Sequence, residues 1–188
     1  MQVDDDVVNL KVVRLSGGGA KTKVTAEPGA LRRYITFAER AMRAEGAFMR
    51  GCNPSANSFF LKPGEVSRKN GLVLGSLFGC RNRHDATLQA SLSTGGQRED
   101  VERTLRHVVR DGRVVRLMFC AVTSRHTQNG GGMQAEHGRP EHRDAEARSV
   151  ARQLARLWPN LGDVDAKDDR KFRFKPVGLA PLVYRRVL

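Results

Sequence analysis

Three cysteines and five histidines carry the most versatile side-chain chemistry in this sequence, and their spacing decides what they can do. A metal centre draws its ligands from close pairs, a few residues apart across a turn or on one helix face. Cys52, Cys80 and Cys120 are widely separated, and His137 and His142 stand in a stretch without apolar periodicity. No metal site and no cofactor are expected. A Cys/His nucleophile has no more support, because Cys120 falls inside an apolar run where a thiol is ordinarily buried and inert. The glycine runs at 17–19 and 130–132 lack the strand, loop and lysine of a phosphate-binding loop and read as flexible connectors. Asp4, Asp5 and Asp6 read as a solvated acidic start. No catalytic constellation is expected, and an odd number of dispersed cysteines suits a reducing compartment.

Arginine is what remains. Lys and Arg number 33 against 20 Asp and Glu, a formal net charge of +13 in 188 residues. Such an imbalance bears on partners rather than on fold, and the common polyanion is nucleic acid. No apolar run nears the roughly 20 residues that span a bilayer, so no membrane partner is expected. The start "MQVDDDVV" has neither a signal-peptide core nor an Arg/Ser-rich transit segment; any targeting segment is expected to have been removed or never to have existed. The basic residues gather in the turn Arg81, Arg83, His84, at the join Arg110, Arg113, Arg116, and in the tail Arg170, Lys171, Arg173, Lys175, Arg185, Arg186. In the tail they interleave with Phe172, Phe174 and Tyr184, a mixture of phosphate contacts and stacking rings. These basic side chains are the expected RNA contacts.

The elements that would position them follow from periodicity. "VVNLKVVRL" (7–15) alternates as a half-buried strand. After "SGGGAKTK", Glu27 and Pro28 open a helix whose apolar stripe Leu31, Tyr34, Ile35, Ala38, Met42 runs to about Glu45, with Arg32, Arg33, Arg40 and Arg43 mostly off it. Residues 47–70 are rich in turn chemistry and read as an insertion. "GLVLGSLFG" (71–79) and the strictly alternating "DATLQASL" (85–92) read as strands joined by the basic turn. "REDVERTLRHVVRDG" is an amphipathic helix that feeds the apolar strand "RVVRLMFCAV". Residues 123–144 read as a linker, and 145–188 as a helix closed by Pro159 plus a basic tail.

Strand, helix, strand, strand, helix, strand over 1–122 predicts a ferredoxin-like βαββαβ sandwich, an α+β fold. Its sheet would hold four antiparallel strands, with both helices on one face and the last strand at an edge. The open face would carry Asn9, Lys11, Thr87, Gln89 and Ser91, which offers a polar docking surface for a protein partner. An RNA-recognition motif on this fold needs stacking aromatics on its third strand, and "DATLQASL" has none.

The run "LGSLFGCRNRHDATLQASLSTGGQREDVERTLRHVVRDGRVVRLMF" resembles the second half of the bacterial-type small-subunit ribosomal protein S-six family. The resemblance falls on Leu74 to Phe78, Arg81 to His84, Glu102 to Arg106, and Val114 with Arg116, and extends in pattern over 7–122. It lacks the family's "W-G-x-R", carries the 47–70 insertion and continues 66 residues beyond Val122. It implies a non-catalytic structural protein of the small ribosomal subunit, bound to rRNA beside ribosomal protein S-eighteen and other small-subunit proteins, with no small-molecule substrate. The insertion and extension are similar to those of mitochondrial members, which implies a matrix location, with the cytoplasm as alternative. Two rival readings remain. One is a non-ribosomal RNA-binding or RNA-chaperone module. The other is a small acylphosphatase-like hydrolase, for which "SGGGAKTK" offers only lysines where an anion-cradling arginine is wanted.

Overall fold

A computed structural model describes residues 1–3, 7–15, 21–25, 29–90, 98–124, 140–176 and 178–183. The fold is mixed α+β. The strands are β1 Gln2–Val3, β2 Val7–Leu15, β3 Lys21–Thr25, β4 Met49–Cys52, β5 Glu65–Lys69, β6 Leu77–Cys80, β7 Val115–Leu117, β8 Cys120–Ser124, β9 Gly162–Val164, β10 Phe172–Phe174 and β11 Gly178–Val183. The helices are α1 Ala30–Ala44, α2 Glu99–Asp111 and α3 Pro140–Leu157, and Ala86–Leu88 form one 3₁₀ turn.

The main sheet has six strands in the order β1-β6-β4-β7-β5-β11. It is mixed, because β4 and β7 run parallel while the other neighbours are antiparallel. A second sheet places β2 between β3 and β8, and a small third one pairs β9 with β10. Side chains alternate across the main sheet, and that alternation sorts the helices. Cys52, Leu77, Val115 and Leu117 share a core with Tyr34, Ala38 and Met42 of α1 and with Leu10 and Val12 of β2. Their sequence neighbours Met49, Phe78 and Val114 pack with Val108 of α2 instead. Beyond them, Val101 and Leu105 of α2 meet Val150 and Leu154 of α3 and Phe172. The two helices therefore cover opposite faces.

This corrects the ferredoxin-like expectation at several points. The helices do not share a face, and β2 lies outside the main sheet. The segment 47–70 is no insertion, since it supplies β4 and β5, which flank β7. The apolar run 113–122 is two strands, broken by a turn at Met118 and Phe119 that carries the chain from one sheet to the other, so β7 is internal rather than an edge. Asn53 holds that corner: its N–H bonds the carbonyls of Leu117 and Cys120, and its side-chain Nδ2 donates to the Phe60 carbonyl at 2.8 Å. The strand expected over 71–79 is confined to 77–80. The strand expected over 85–92 is the 3₁₀ turn, because Asp85 accepts the Thr87 N–H at 3.1 Å and bends the chain; residues 91 and 92 lie outside the described residues.

Helix boundaries lie close to expectation. The expected opening residues Glu27 and Pro28 are outside the described residues, and α1 begins after Gly29, whose φ of 80° needs glycine. In α2 the first-turn acids Glu99, Asp100 and Glu102 suit the positive helix end, and Gly112 closes it in the left-handed region. The expected linker is shorter at its far end, as α3 already starts at Pro140. The C-terminal part is no appendage: α3 packs on α2, and β11 pairs with β5.

Candidate nucleic-acid interface

The predicted cations fall into three settings. Arg81, Arg83 and His84 leave the end of β6 and line a cleft of about 780 Å³, whose other walls are β1, the 3₁₀ turn and α2. Two arginines of α2 strap the turn down, Arg106 donating to the Thr87 carbonyl at 2.8 Å and Arg110 to Asp85 at 2.8 Å. Hydrogen bonds from the Thr87 hydroxyl and Arg110 hold the Asp85 carboxyl down to about 2. The cleft guanidinium groups rest on aromatic rings. Arg83 and Arg81 lie 4.2 and 5.4 Å from the Phe48 centroid, and Arg103 lies 4.4 Å from that of Phe78. Each also has a carboxylate: Arg83 with Asp111 at 2.7 Å, Arg103 with Glu99 at 2.9 Å, Arg81 with Glu39 at 4.0 Å. Asp111 also meets Nδ1 of the buried His107 at 3.1 Å, and burial lowers that imidazole below its ordinary value.

The join residues do not gather around a common site. Arg110 is exposed beside Asp85, Arg113 reaches Glu45 at 3.7 Å, and Arg116 turns inward. The Arg116 guanidinium bonds Ser67 and the Lys69 carbonyl at 3.4 Å each, against Gly71, and burial pulls it below its usual value. Its role is to brace β5 on β7. In the tail, Arg170 chelates Asp168 and Asp144, Lys171 meets Asp168 at 3.0 Å, and Lys175 caps the Pro159 carbonyl at 2.6 Å; Arg173 is exposed. The aromatic pair Phe172 and Phe174 packs against itself and α3 rather than offering free rings. Arg185 and Arg186 lie outside the described residues. The expected protein-partner face is likewise dispersed, with Asn9 and Lys11 on β2, Thr87 on the 3₁₀ turn, Gln89 just past it, and Ser91 outside the described residues.

Two surfaces escaped the sequence reading. On α1, Arg32, Arg33 and Arg40 surround Thr36 and the half-buried Phe37 in a hollow of about 350 Å³. Among the described residues, Arg32 and Arg40 make no ion pair, while the nearby acid Glu39 is engaged by Arg43 at 2.8 Å on another side. On α3, Arg148, Arg152 and Arg156 repeat every four residues along a second hollow, with Asp169 the acid that faces the first two. The signal was present: arginines at helical spacing off the apolar stripe are a row, whereas the tail carries Asp168 beside its own Arg170 and Lys171.

Among the described residues no cluster of three His, Cys, Asp or Glu side chains could hold a metal ion, and no helix is long and apolar enough to cross a membrane. Cys52 and Cys120 are buried and Cys80 is exposed; burial pushes the Cys52 thiol up to about 11. Compared with protein-family models, with curated proteins and with solved structures, the chain shows no significant match in any of the three.

Proposed function

We propose that this protein is a non-catalytic, RNA-binding component of a ribonucleoprotein particle, and that the particle is the small subunit of a ribosome of mitochondrial type. The observation that carries the RNA reading is the α1 surface, where Arg32 and Arg40 stand exposed with no ion pair among the described residues, beside the half-buried Phe37 that packs on Phe119 below them. An exposed cation already held by a carboxylate must leave that carboxylate to take a phosphate. An unopposed one gives up only water and counterions. The arginine row of α3 adds a second basic face, on which Arg148 and Arg152 share Asp169 and Arg156 makes no ion pair among the described residues.

The ribosomal assignment rests on the S-six-type resemblance over Leu74 to Phe78, Arg81 to His84, Glu102 to Arg106 and Val114 with Arg116. The ferredoxin-like arrangement of that family is not the sheet order here, and the particle is tested separately from RNA binding. S-eighteen stays in it as a neighbour, on the surface around Asn9 and Lys11 alone. Gradient sedimentation of the tagged chain, with its crosslinked RNA sequenced, decides. Co-migration with small subunits and recovery of rRNA are expected. A profile confined to light fractions carrying other RNAs would replace the ribosomal reading with a free RNA-binding module. Absence of any crosslinked RNA would end the RNA reading itself.

A further inference from the structure

The cleft beside β6 contains three arginines, yet it is a poor phosphate site. Arg83 and Arg103 hold carboxylates at 2.7 and 2.9 Å, Arg81 faces Glu39 at 4.0 Å, and Asp85, the one acid on the cleft wall among the described residues, is matched by Arg110. Arg83 and Arg103 thus each meet an anion and Arg81 shares Glu39 with Arg43, which leaves little local excess to attract a polyanion. What the cleft does offer is different in kind. Its guanidinium groups lie over Phe48 and Phe78 and are fastened to carboxylates, so their ordering is already accomplished before anything binds. The side-chain amides of Gln2, Asn82 and Gln89 line the same space, and none of the three makes a hydrogen bond among the described residues. Ala86, Leu88 and Met1 add apolar wall. A volume of about 780 Å³ lies in the range of ordinary small-ligand pockets and is too small for a duplex.

We propose that this cleft receives one unpaired nucleobase, packed against the arginine wall and read at its edge by the free amides. The inference rests on the RNA-binding reading and divides the work of the surface. Arg32 and Arg40 of α1 take backbone phosphates, and the largely neutralised cleft selects a base that is out of the helix. Guanidinium planes stack on bases much as aromatic rings do, and RNA is recognised chiefly where its bases are unstacked. A base carries no net charge, so this contribution should be insensitive to salt, unlike the phosphate contacts.

The test compares two RNA hairpins equal in length and charge, one fully paired and one with a single-nucleotide bulge carrying 2-aminopurine; free adenosine serves as competitor. The bulged hairpin is expected to bind about tenfold tighter, near the lower end of base-stacking energies. That ratio should hold from about 50 to 200 mM salt while both affinities fall. Ala86→Trp, at an exposed position of the 3₁₀ turn, fills the cleft and should abolish the preference while leaving affinity for the paired hairpin unchanged, which also certifies that it folds. Asn82→Ala with Gln89→Ala is the second, milder variant and should reduce the preference. Adenosine that displaces the bulge signal at micromolar to millimolar concentration would show that the base alone suffices; failure of adenosine to compete together with a persistent bulge preference would show that the strand supplies the rest, and either supports the site. Equal binding of the two hairpins by the unaltered protein, or a preference that survives both variants, overturns the inference and leaves RNA binding standing. Binding of neither hairpin removes the RNA reading and this inference with it.

Discussion

At position 51, in the middle of β4, the chain has no room for one methyl group. A Cβ there would come within 2.7 Å of Cγ1 of the fully buried Val73. Neither atom belongs to a flexible tip, so the β4 strand or the 71–76 segment must shift. Gly51→Ala should cost about 1–3 kcal/mol, the usual range for overpacking. Chemical denaturation with an unchanged slope would report it, and an unaltered midpoint would show that the segment over β4 gives way freely. His107 supplies a second residue-scale prediction. Its ring is buried beside Asp111, with Arg83 and Arg103 also near it, and burial, the largest influence, lowers its pKa despite the attraction of Asp111. The unfolded chain takes up a proton near 6.5, but the folded chain does so only at lower pH. Between those values the unfolded state binds more protons, so stability is complete above the unfolded value and declines as pH falls toward the folded one. His107→Gln should flatten the dependence of Tm on pH between about pH 7 and pH 5, the range in which histidine titrates. Parallel curves for the two proteins would show that other groups govern the acid side.

At the scale of elements, α2 is the pivot, with Val108 on the sheet and Val101 and Leu105 on α3. Leu105 is completely buried, and Leu105→Ala should cost about 2–5 kcal/mol through reduced burial and a cavity between the helices. A change within half a kilocalorie would mean that α3 closes over the gap. The helices were the legible part of the sequence, because one buried face repeating every 3.6 residues leaves a pattern in both α1 and α2. Strands were legible where residues alternate, as in β2, or form an apolar β-branched run, as in β7 and β8. β4 is buried at all four of its positions and reads "MRGC", which carries no alternation and hides a buried arginine and a glycine among turn-rich neighbours. "DATLQASL" shows the converse failure: its alternation is that of a strand, but the Asp85 side chain competes for the Thr87 N–H and closes a turn. The break at Met118 and Phe119 was invisible for a third reason, since it is fixed by Asn53 and Glu65 from distant parts of the chain; the Met118 N–H bonds the Glu65 carbonyl at 2.9 Å. Of the site, the cleft turn Arg81, Arg83, His84 was legible as a cluster, but its neutralisation by Asp111 and Glu39 is a product of tertiary packing.

For the whole molecule, the question is which of the 33 basic side chains behind the +13 charge are available to a partner. Folding answers by pairing. Asp111, Glu99, Glu102, Asp85, Asp168 and Glu45 are each engaged by arginine or lysine, so much of the basic turn, join and tail is spoken for, while Arg32 and Arg40 on α1 and Arg156 on α3 stand exposed with no ion pair among the described residues. Two variants of similar formal charge should therefore behave differently. Arg32→Ala with Arg40→Ala should leave Tm within about a degree or two of the parent, as surface substitutions without partners do. It should weaken RNA binding at low salt, and the slope of log K against log salt should shrink by roughly 0.7 for each phosphate no longer neutralised. Arg83→Gln removes the partner of the buried Asp111 and a cation over Phe48, so its effect should fall on stability, with the salt slope of the remaining folded protein unchanged. Affinity measured across a salt series, beside thermal melts of the same samples, separates the two. Were Arg83→Gln to flatten the slope while the α1 pair left it intact, the phosphate track would run through the cleft, and the division between a neutral base pocket and a cationic helix face would be reversed.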